Sequence, residues 1–399
     1  MGREYDHSTR RPRHTFVASP RGATDQLSRT GNFEFEDVVC EMESADLLAP
    51  ASDGHSTFMR KARNKISDRT SLYSIMPRGT TTRLDNRSYD IGFFLFQFVP
   101  DLVRFDLLSG WRRRTHLAVC VIEELWARDI PRFRHKLSQL KAFDLVFCCC
   151  YHSIEPLAEA IGREVLYLPP AVDVLRFMPT AQAQNRAIDV CSIGRRSPIT
   201  HRALIKQTID NGLFYHFDSV RGPMYARNPR DHRLLLANLV KHSQYFIANV
   251  AKIDQTHETD AQPEIGQRFF EGMAGGAVLL GQPPKTAIFD QLFDWPDAVI
   301  EIPFDCPGIA EVLAELNAQP ARLRRIRQDN LAGTARRHDW MHRWQTILET
   351  AGLPPTPAMR ERARTLSEVA NRGAAVNGET TATATPAARE EWMGQDFGG

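Results

Sequence analysis

No apolar run in this 399-residue sequence is long enough to cross a bilayer. The longest, Ile91–Val99 and Leu145–Cys150, fall well short of the ~20 residues a spanning helix needs. The N-terminus is polar and arginine-rich and has no apolar core of a secretory signal, so a cytoplasmic protein is expected. Excess charge of one sign is missing too: 50 Lys and Arg against 48 Asp and Glu leave a formal charge of +2. A dedicated nucleic-acid binder concentrates a large basic excess, so no nucleic-acid partner is expected. Metal-ligand cysteine spacing is absent. The seven cysteines form no C-x-x-C pair, and Cys148, Cys149 and Cys150 lie consecutively in a strand-like run where neighbours face opposite ways. They read as small buried hydrophobes in a reducing compartment, and no metal site follows from them. No G-x-G-x-x-G follows a strand, which argues against a dinucleotide redox cofactor; no cofactor is expected.

What is present suits two globular α/β domains. Apolar residues make up 42% of the chain and charged residues 25%, and the length exceeds one average domain. Basic residues cluster locally at Arg3, Arg10, Arg11, Arg13, Arg21 and Arg29, and again at Arg60, Lys61, Arg63, Lys65 and Arg69. These read as a solvated tail and loop, or as an attraction to phosphates that would hold the protein weakly at the inner membrane face. Residues 1–32 show no sustained apolar period and are expected to be a disordered tail, as is most of 354–399, with its Ala/Thr-biased stretch.

Between the tails, short apolar runs alternate with helical patterns, the signature of parallel α/β sheets. Strands are predicted at Phe35–Cys40, Tyr89–Phe98, His116–Ile122, Phe143–Cys150 and Val165–Leu168, then at Ile188–Ile193, Leu213–Phe217, Gln244–Ala248, Ala277–Leu280 and Ala298–Ile302. A helix is predicted over Ser153–Ile161, capped by Ser153 and stopped by Gly162. The proline-punctuated stretch PPAVDVLRFMPT cannot continue a central strand and reads as a hinge. The predicted organisation is therefore a domain over 33–170, a linker over 171–187, a second domain over 188–335 and a closing helix over 336–353. Two such domains create a cleft at the carboxyl ends of their strands, where ligands bind.

The segment PEIGQRFFEGMAGGAVLLG (Pro263–Gly281) carries the most information. A helix starting at Pro263 would bury Ile265, Phe269, Met273 and Ala277, and would present Glu264, Gln267, Arg268 and Glu271 as one polar ridge. Gly275 and Gly276 end that helix. Taken alone, Glu264 and Arg268 read as readily as an exposed i,i+4 ion pair. A carboxylate on such a ridge can also accept hydrogen bonds from vicinal hydroxyls, which is how ribose is held.

Four stretches, Pro169–Phe177, Ile188–Arg196, Pro263–Gly281 and HDWMHRWQTIL at His338–Leu348, occur in an order that resembles the glycosyl transferases group 1 superfamily. The resemblance is to its branch with a CgeB/spore-protein-like transferase domain, and it extends more loosely to YDIGFFLFQF, AVCVIEELW and FDLVFCCCYHSIEPLAEAIG in the first half. It implies the GT-B fold, two Rossmann-like parallel-sheet domains facing across a cleft, and transfer of a sugar from a nucleotide-sugar donor. By that resemblance Glu271 would bind the donor ribose, and Gly275 and Gly276 would let the backbone approach the donor. Gly194, Arg195 and Arg196 would lie near the diphosphate, and Glu264 or Arg268 would meet the donor sugar or phosphate. The closing helix would return to the first domain.

The sequence departs from the family in two places. Many retaining relatives separate two glutamates by seven residues, whereas six lie between Glu264 and Glu271. The lysine that often follows the Gly-Arg pair is missing, and Arg202 is the nearest replacement. No Asp-x-Asp pair occurs, so a metal-independent reaction is expected in which arginines and helix N-termini handle the phosphates. In the first domain, Glu123, Glu124 and His152 fall at predicted strand ends facing the cleft and are candidates for a general base. His152 reads equally as a helix-entry residue. The expected acceptor is a glycan, a lipid-linked molecule or a small metabolite. A nucleotide-sugar epimerase and a non-catalytic sugar-nucleotide binder use the same architecture and stay open on the sequence alone.

Overall fold

The structure is a computed structural model; it describes residues 12–21, 26–49, 82–83, 87–102, 108–179, 186–218, 225 and 228–375. The strands are β1 (Thr15–Ala18), β2 (Asp46–Leu48), β3 (Thr82–Arg83), β4 (Tyr89–Phe98), β5 (Leu108–Ser109), β6 (Thr115–Glu124), β7 (Leu145–Cys148), β8 (Leu166–Tyr167), β9 (Ile188–Ser192), β10 (Tyr215–Phe217), β11 (Ser243–Ile247), β12 (Val278–Gly281) and β13 (Ile300–Glu301). Two parallel sheets carry the architecture. One runs in the order β2-β1-β4-β6-β7-β8 and the other β10-β9-β11-β12-β13, with β3 and β5 a small separate pair. Each sheet forms the centre of one lobe, and the two α/β lobes have the GT-B arrangement expected from the sequence. The strand order reverses beside β1 in the first lobe and beside β9 in the second, so each lobe has a switch-point crevice at its strand carboxyl ends. Among the described residues no helix is long and apolar enough to cross a membrane.

Several sequence expectations are corrected. The segment expected as a strand at Phe35–Cys40 lies inside helix α1, Thr30–Glu43. Its FEFED alternation imitates a half-buried strand, yet acids and phenylalanines alike are buried, because α1 is packed on every side and its acids meet arginines. The expected disordered tail over 1–32 instead contributes β1, which pairs with both β2 and β4 inside the sheet. Four residues, TFVA, are too few to show a period. Residues 354–399 are not wholly tail either: Pro357–Ala375 is a helix whose Met359, Leu366 and Ala370 are buried. The basic clusters at Arg3, Arg10 and Arg11 and at 60–69, and the Ala/Thr-biased stretch beyond 375, lie outside the described residues.

The crossing between lobes takes place at His338 and Asp339, where helix Pro320–Arg337 ends and helix Trp340–Thr350 begins, capped by the Asp339 carboxylate on the Met341 N–H. Trp340 stacks on Phe35 of α1 with centroids 4.5 Å apart and planes 11° from parallel. Its indole N–H donates to Glu34 at 3.0 Å, and that of Trp344 donates to Glu43 at 2.8 Å. Arg362, from the last helix, ties Asp173 of the linker (2.6 Å) to Asp339 (2.8 Å).

Trp340 thus supplies both apolar area and a buried hydrogen bond at the lobe junction. Trp340→Ala is expected to cost about 3–5 kcal/mol of stability. Urea denaturation followed by tryptophan-independent far-UV dichroism checks this, and a midpoint equal to the parent's would contradict it.

Candidate active site

Two adjoining cavities of about 1020 Å³ and about 340 Å³ occupy the space between the lobes. Both are lined by Glu123 at the carboxyl end of β6, by Ile193, Gly194 and Arg195 just beyond β9, and by Gln267 and Arg268. The larger also reaches Gln26–Ser28, Thr30 and Gly31 at the entry to α1, and Arg196, His232, Arg233 and Glu271. The smaller reaches Glu124, Trp126, Asn249, Lys252 and Glu264. They meet where the two switch points face each other.

The helix that carries Glu271 spans Gln267–Ala274, four residues later than expected, because Pro263–Gly266 runs extended into an N-cap glycine. Gly266 has no side chain to cap the first turn, and Gly266, Gln267 and Arg268 line the smaller cavity. Gly31 of α1 comes close to this helix: a Cβ there would lie 2.5 Å from the Gln267 amide. The entries of two helices from opposite lobes thus converge on the larger cavity.

Glu271 is only 2% exposed but lines that cavity. One carboxylate oxygen receives Arg233 and the other Arg268. Burial pushes its carboxyl up, and Arg268 and Arg233 outweigh this, so its pKa lies below the ordinary value. An ionised carboxylate has about four acceptor positions, so two guanidinium groups do not exhaust it.

Glu264 stands differently from the expectation. It is not on the helix but in the extended segment before it, so the polar ridge is limited to Gln267, Arg268 and Glu271. Its carboxylate crosses to the first lobe and accepts from the backbone N–H groups of Tyr151 (2.8 Å) and His152 (3.0 Å), and from Gln262 (2.7 Å). His152 Nδ1 lies 3.1 Å from the same carboxylate. Glu264 is therefore an interlobe cap for the turn that opens helix Ile154–Ile161, a role expected of Ser153, whose hydroxyl instead donates to the Leu125 carbonyl. With these contacts, neither Glu264 nor His152 stands free as a catalytic group, and His152 does not line either cavity.

The remaining expected residues divide. Gly194, with φ +88°, donates its N–H to Asp218 at 3.0 Å, and Arg196 pairs with the same aspartate while lying over Phe217. Arg195 pairs with Asp254 at 3.0 Å, and both side chains are about 40% exposed. Exposed pairs contribute about 0–1 kcal/mol, so Arg195 is the arginine most easily redirected to a ligand. Arg202 is exposed on helix Pro198–Asn211 and lines neither cavity. Gly275 and Gly276 also lie away from the cleft. They close the far end of the 267–274 helix, about 12 Å along its axis, where Gly275 abuts Val240 and Arg186 binds the Gly275 carbonyl. Close helix packing, not ligand approach, explains the absence of a Cβ there.

Glu123 and Glu124 end β6 at the cleft. Glu124 accepts from the Trp126 indole (3.0 Å) and from Lys252 of the other lobe (2.8 Å). Glu123 has a weak contact from Asn32 (3.3 Å), and burial, with Glu124 beside it, raises its pKa to about 8. Residues that the sequence did not single out include Arg233, His232, Asn249 and Lys252. Arg233 sits in the PRDHRLLLANLVK helix pattern as one of three arginine and histidine side chains, with no local mark that it alone turns inward. Among the described residues no three His, Cys, Asp or Glu side chains are grouped to hold a metal ion.

The pH dependence of stability follows from Glu123. Its folded pKa lies above the unfolded value, so its contribution is greatest below the ordinary carboxylate pKa and is lost as pH rises towards 8. Glu123→Gln is therefore expected to gain stability relative to the parent between pH 5 and pH 8.5. Melting temperatures of both proteins across that range test it; parallel curves would contradict the assignment.

Residues 215–349, about a third of the chain, match a family model described as "Glycosyl transferase-like". No curated protein is matched by the sequence. Among solved structures, the trehalose-6-phosphate phosphatase N-terminal domain of Candida albicans superposes with a TM-score of 0.50 at 10% identity, covering 88% of this chain and 99% of that one. An alpha-glucosyltransferase in complex with UDP and a 13-mer DNA gives 0.48 at 10% identity over 85% and 99%. TarM gives 0.39 at 11% identity over 65% and 54%.

Proposed function

We propose that this chain is a glycosyltransferase of the GT-B fold, in keeping with the glycosyl transferase-like match over residues 215–349: it moves a hexosyl group from a nucleotide-sugar donor held by the second lobe to a hydroxyl presented by the first. The observation that carries this reading is the carboxylate of Glu271 on the wall of a cavity of about 1020 Å³, large enough for a whole sugar nucleotide.

Glu271 accepts hydrogen bonds from the ribose hydroxyls on the lone pairs its two arginines leave open. The diphosphate lies between Arg195, Arg268 and the first turn of helix Gln267–Ala274. Departure of the nucleoside diphosphate develops negative charge, and fixed cations and N–H dipoles in a cleft with little water stabilise it without a metal ion. The acceptor, a glycan, lipid-linked molecule or small metabolite, enters beside Glu123, Glu124 and Trp126. Glu123 takes the proton of the attacking hydroxyl, which corresponds to inversion at the sugar. Its raised pKa, about 8, makes it a stronger base once ionised. Closure of the lobes keeps water from the activated sugar.

Incubation with UDP-, GDP-, dTDP- and ADP-sugars, with release of nucleoside diphosphate followed, tests the reading. One donor is expected to be turned over in the presence of a chelator, and its binding should weaken about tenfold or more in Glu271→Gln. Absence of binding by any donor at millimolar concentration would overturn it. For the base, Glu123→Gln should slow transfer by about 10²–10⁴-fold, and the parent's rate should rise with pH up to about 8 and then level.

A further inference from the structure

We infer that Glu34 and Arg233 are positioning residues that transmit lobe closure to the nucleotide-binding carboxylate, so that donor binding and closure are one linked event. This rests on the reading of Glu271 given above. Glu34 belongs to α1 in the first lobe, is 1% exposed and lines neither cavity. Arg233 belongs to helix Pro229–Lys241 in the second lobe. Its Nε and Nη2 donate to the two Glu34 oxygens at 2.9 Å each, and its Nη1 donates to Glu271. A guanidinium is a rigid planar fork, so its two faces of contact are fixed relative to one another. Moving Glu34 with its lobe must swing or release the arm that holds Glu271.

Glu34 is also where the other lobe-crossing elements meet. It accepts the N–H of Asp173 in the linker at 2.8 Å and the indole N–H of Trp340 at 3.0 Å. The Phe177 ring of the linker lies under the Arg233 guanidinium, 4.7 Å from its centre. Any hinge motion therefore disturbs the charge pair that orients Glu271. By reciprocity, a nucleotide that needs Glu271 so oriented favours the closed arrangement by the same factor.

Titration calorimetry on the full chain tests this with UDP, GDP, dTDP and ADP as probes, using the tightest of them for Glu34→Gln, Glu271→Gln and the double variant. Glu34→Gln keeps the size but removes the charge and replaces one of the two accepting oxygens, so the two-pronged contact with Arg233 is broken; melting temperatures establish that each variant is folded at the titration temperature. Glu34→Gln is expected to weaken the nucleotide about tenfold although it never touches it. The double variant should bind no more weakly than Glu271→Gln alone. A Glu34→Gln affinity equal to the parent's, with Glu271→Gln weakened, overturns the relay and leaves the ribose reading standing, and so do losses that simply add. An unchanged affinity in Glu271→Gln overturns the ribose reading itself and the relay with it.

Discussion

The buried ion pair between Glu34 and Arg233 is the contact on which the two-lobed arrangement depends. Both side chains are almost fully removed from water, one from each lobe, and a lone charge so buried is very unfavourable. Burial lowers the Arg233 pKa, and Glu34 and Glu271 more than reverse it, so its pKa lies above the ordinary value. The pair is satisfied only when the lobes are together. Separation would strand both charges unless water entered, which gives this arrangement of the lobes a specificity that apolar packing alone does not supply.

Around that pair α1 acts as an acidic spine. Asp37 receives Arg21 from its own lobe and Arg230 from the other, at 2.6 and 2.8 Å, while Glu36 is held by Ser19 and Arg21. Burial outweighs these contacts at Glu36 and raises its pKa to about 7. On the opposite side of the cleft a looser set of contacts joins the lobes. Glu124 meets Lys252, Arg128 meets Asp260, and Glu264 caps the turn at Tyr151 and His152. The first two are partly exposed and individually weak. The Glu34–Arg233 pair is almost wholly buried, whereas Glu124–Lys252 and Arg128–Asp260 are partly exposed, with Glu264 the one buried contact on their side.

Much of the site is legible in the sequence, and the failures share a cause. The strand-ending Gly194-Arg195-Arg196 and Glu123-Glu124 line the cleft because strand carboxyl ends face it whatever their side chains. Glu264 escapes a local reading because Pro263 suggests a helix start, whereas Gly266 sets it and the carboxylate finds N–H partners more than a hundred residues away. Gly275 and Gly276 suggest ligand approach, yet Val240 and Leu331 account for them. Helix α1 imitates a strand because burial of acids, possible only beside Arg21, Arg230 and Arg233, is invisible to a pattern of apolar periods.

By itself the sequence determined the alternation of strands and helices from β4 onward and the amphipathic helix bearing Glu271, since periodicity acts within a few residues. The tertiary structure alone decided which charges are buried. Arg233 became the link between Glu34 and Glu271, Glu264 became a cap on the other lobe, and a four-residue strand from the expected tail entered the sheet. The physical reason is that desolvation and charge pairing depend on what surrounds a group in space, and those neighbours come from chain segments that no local pattern connects.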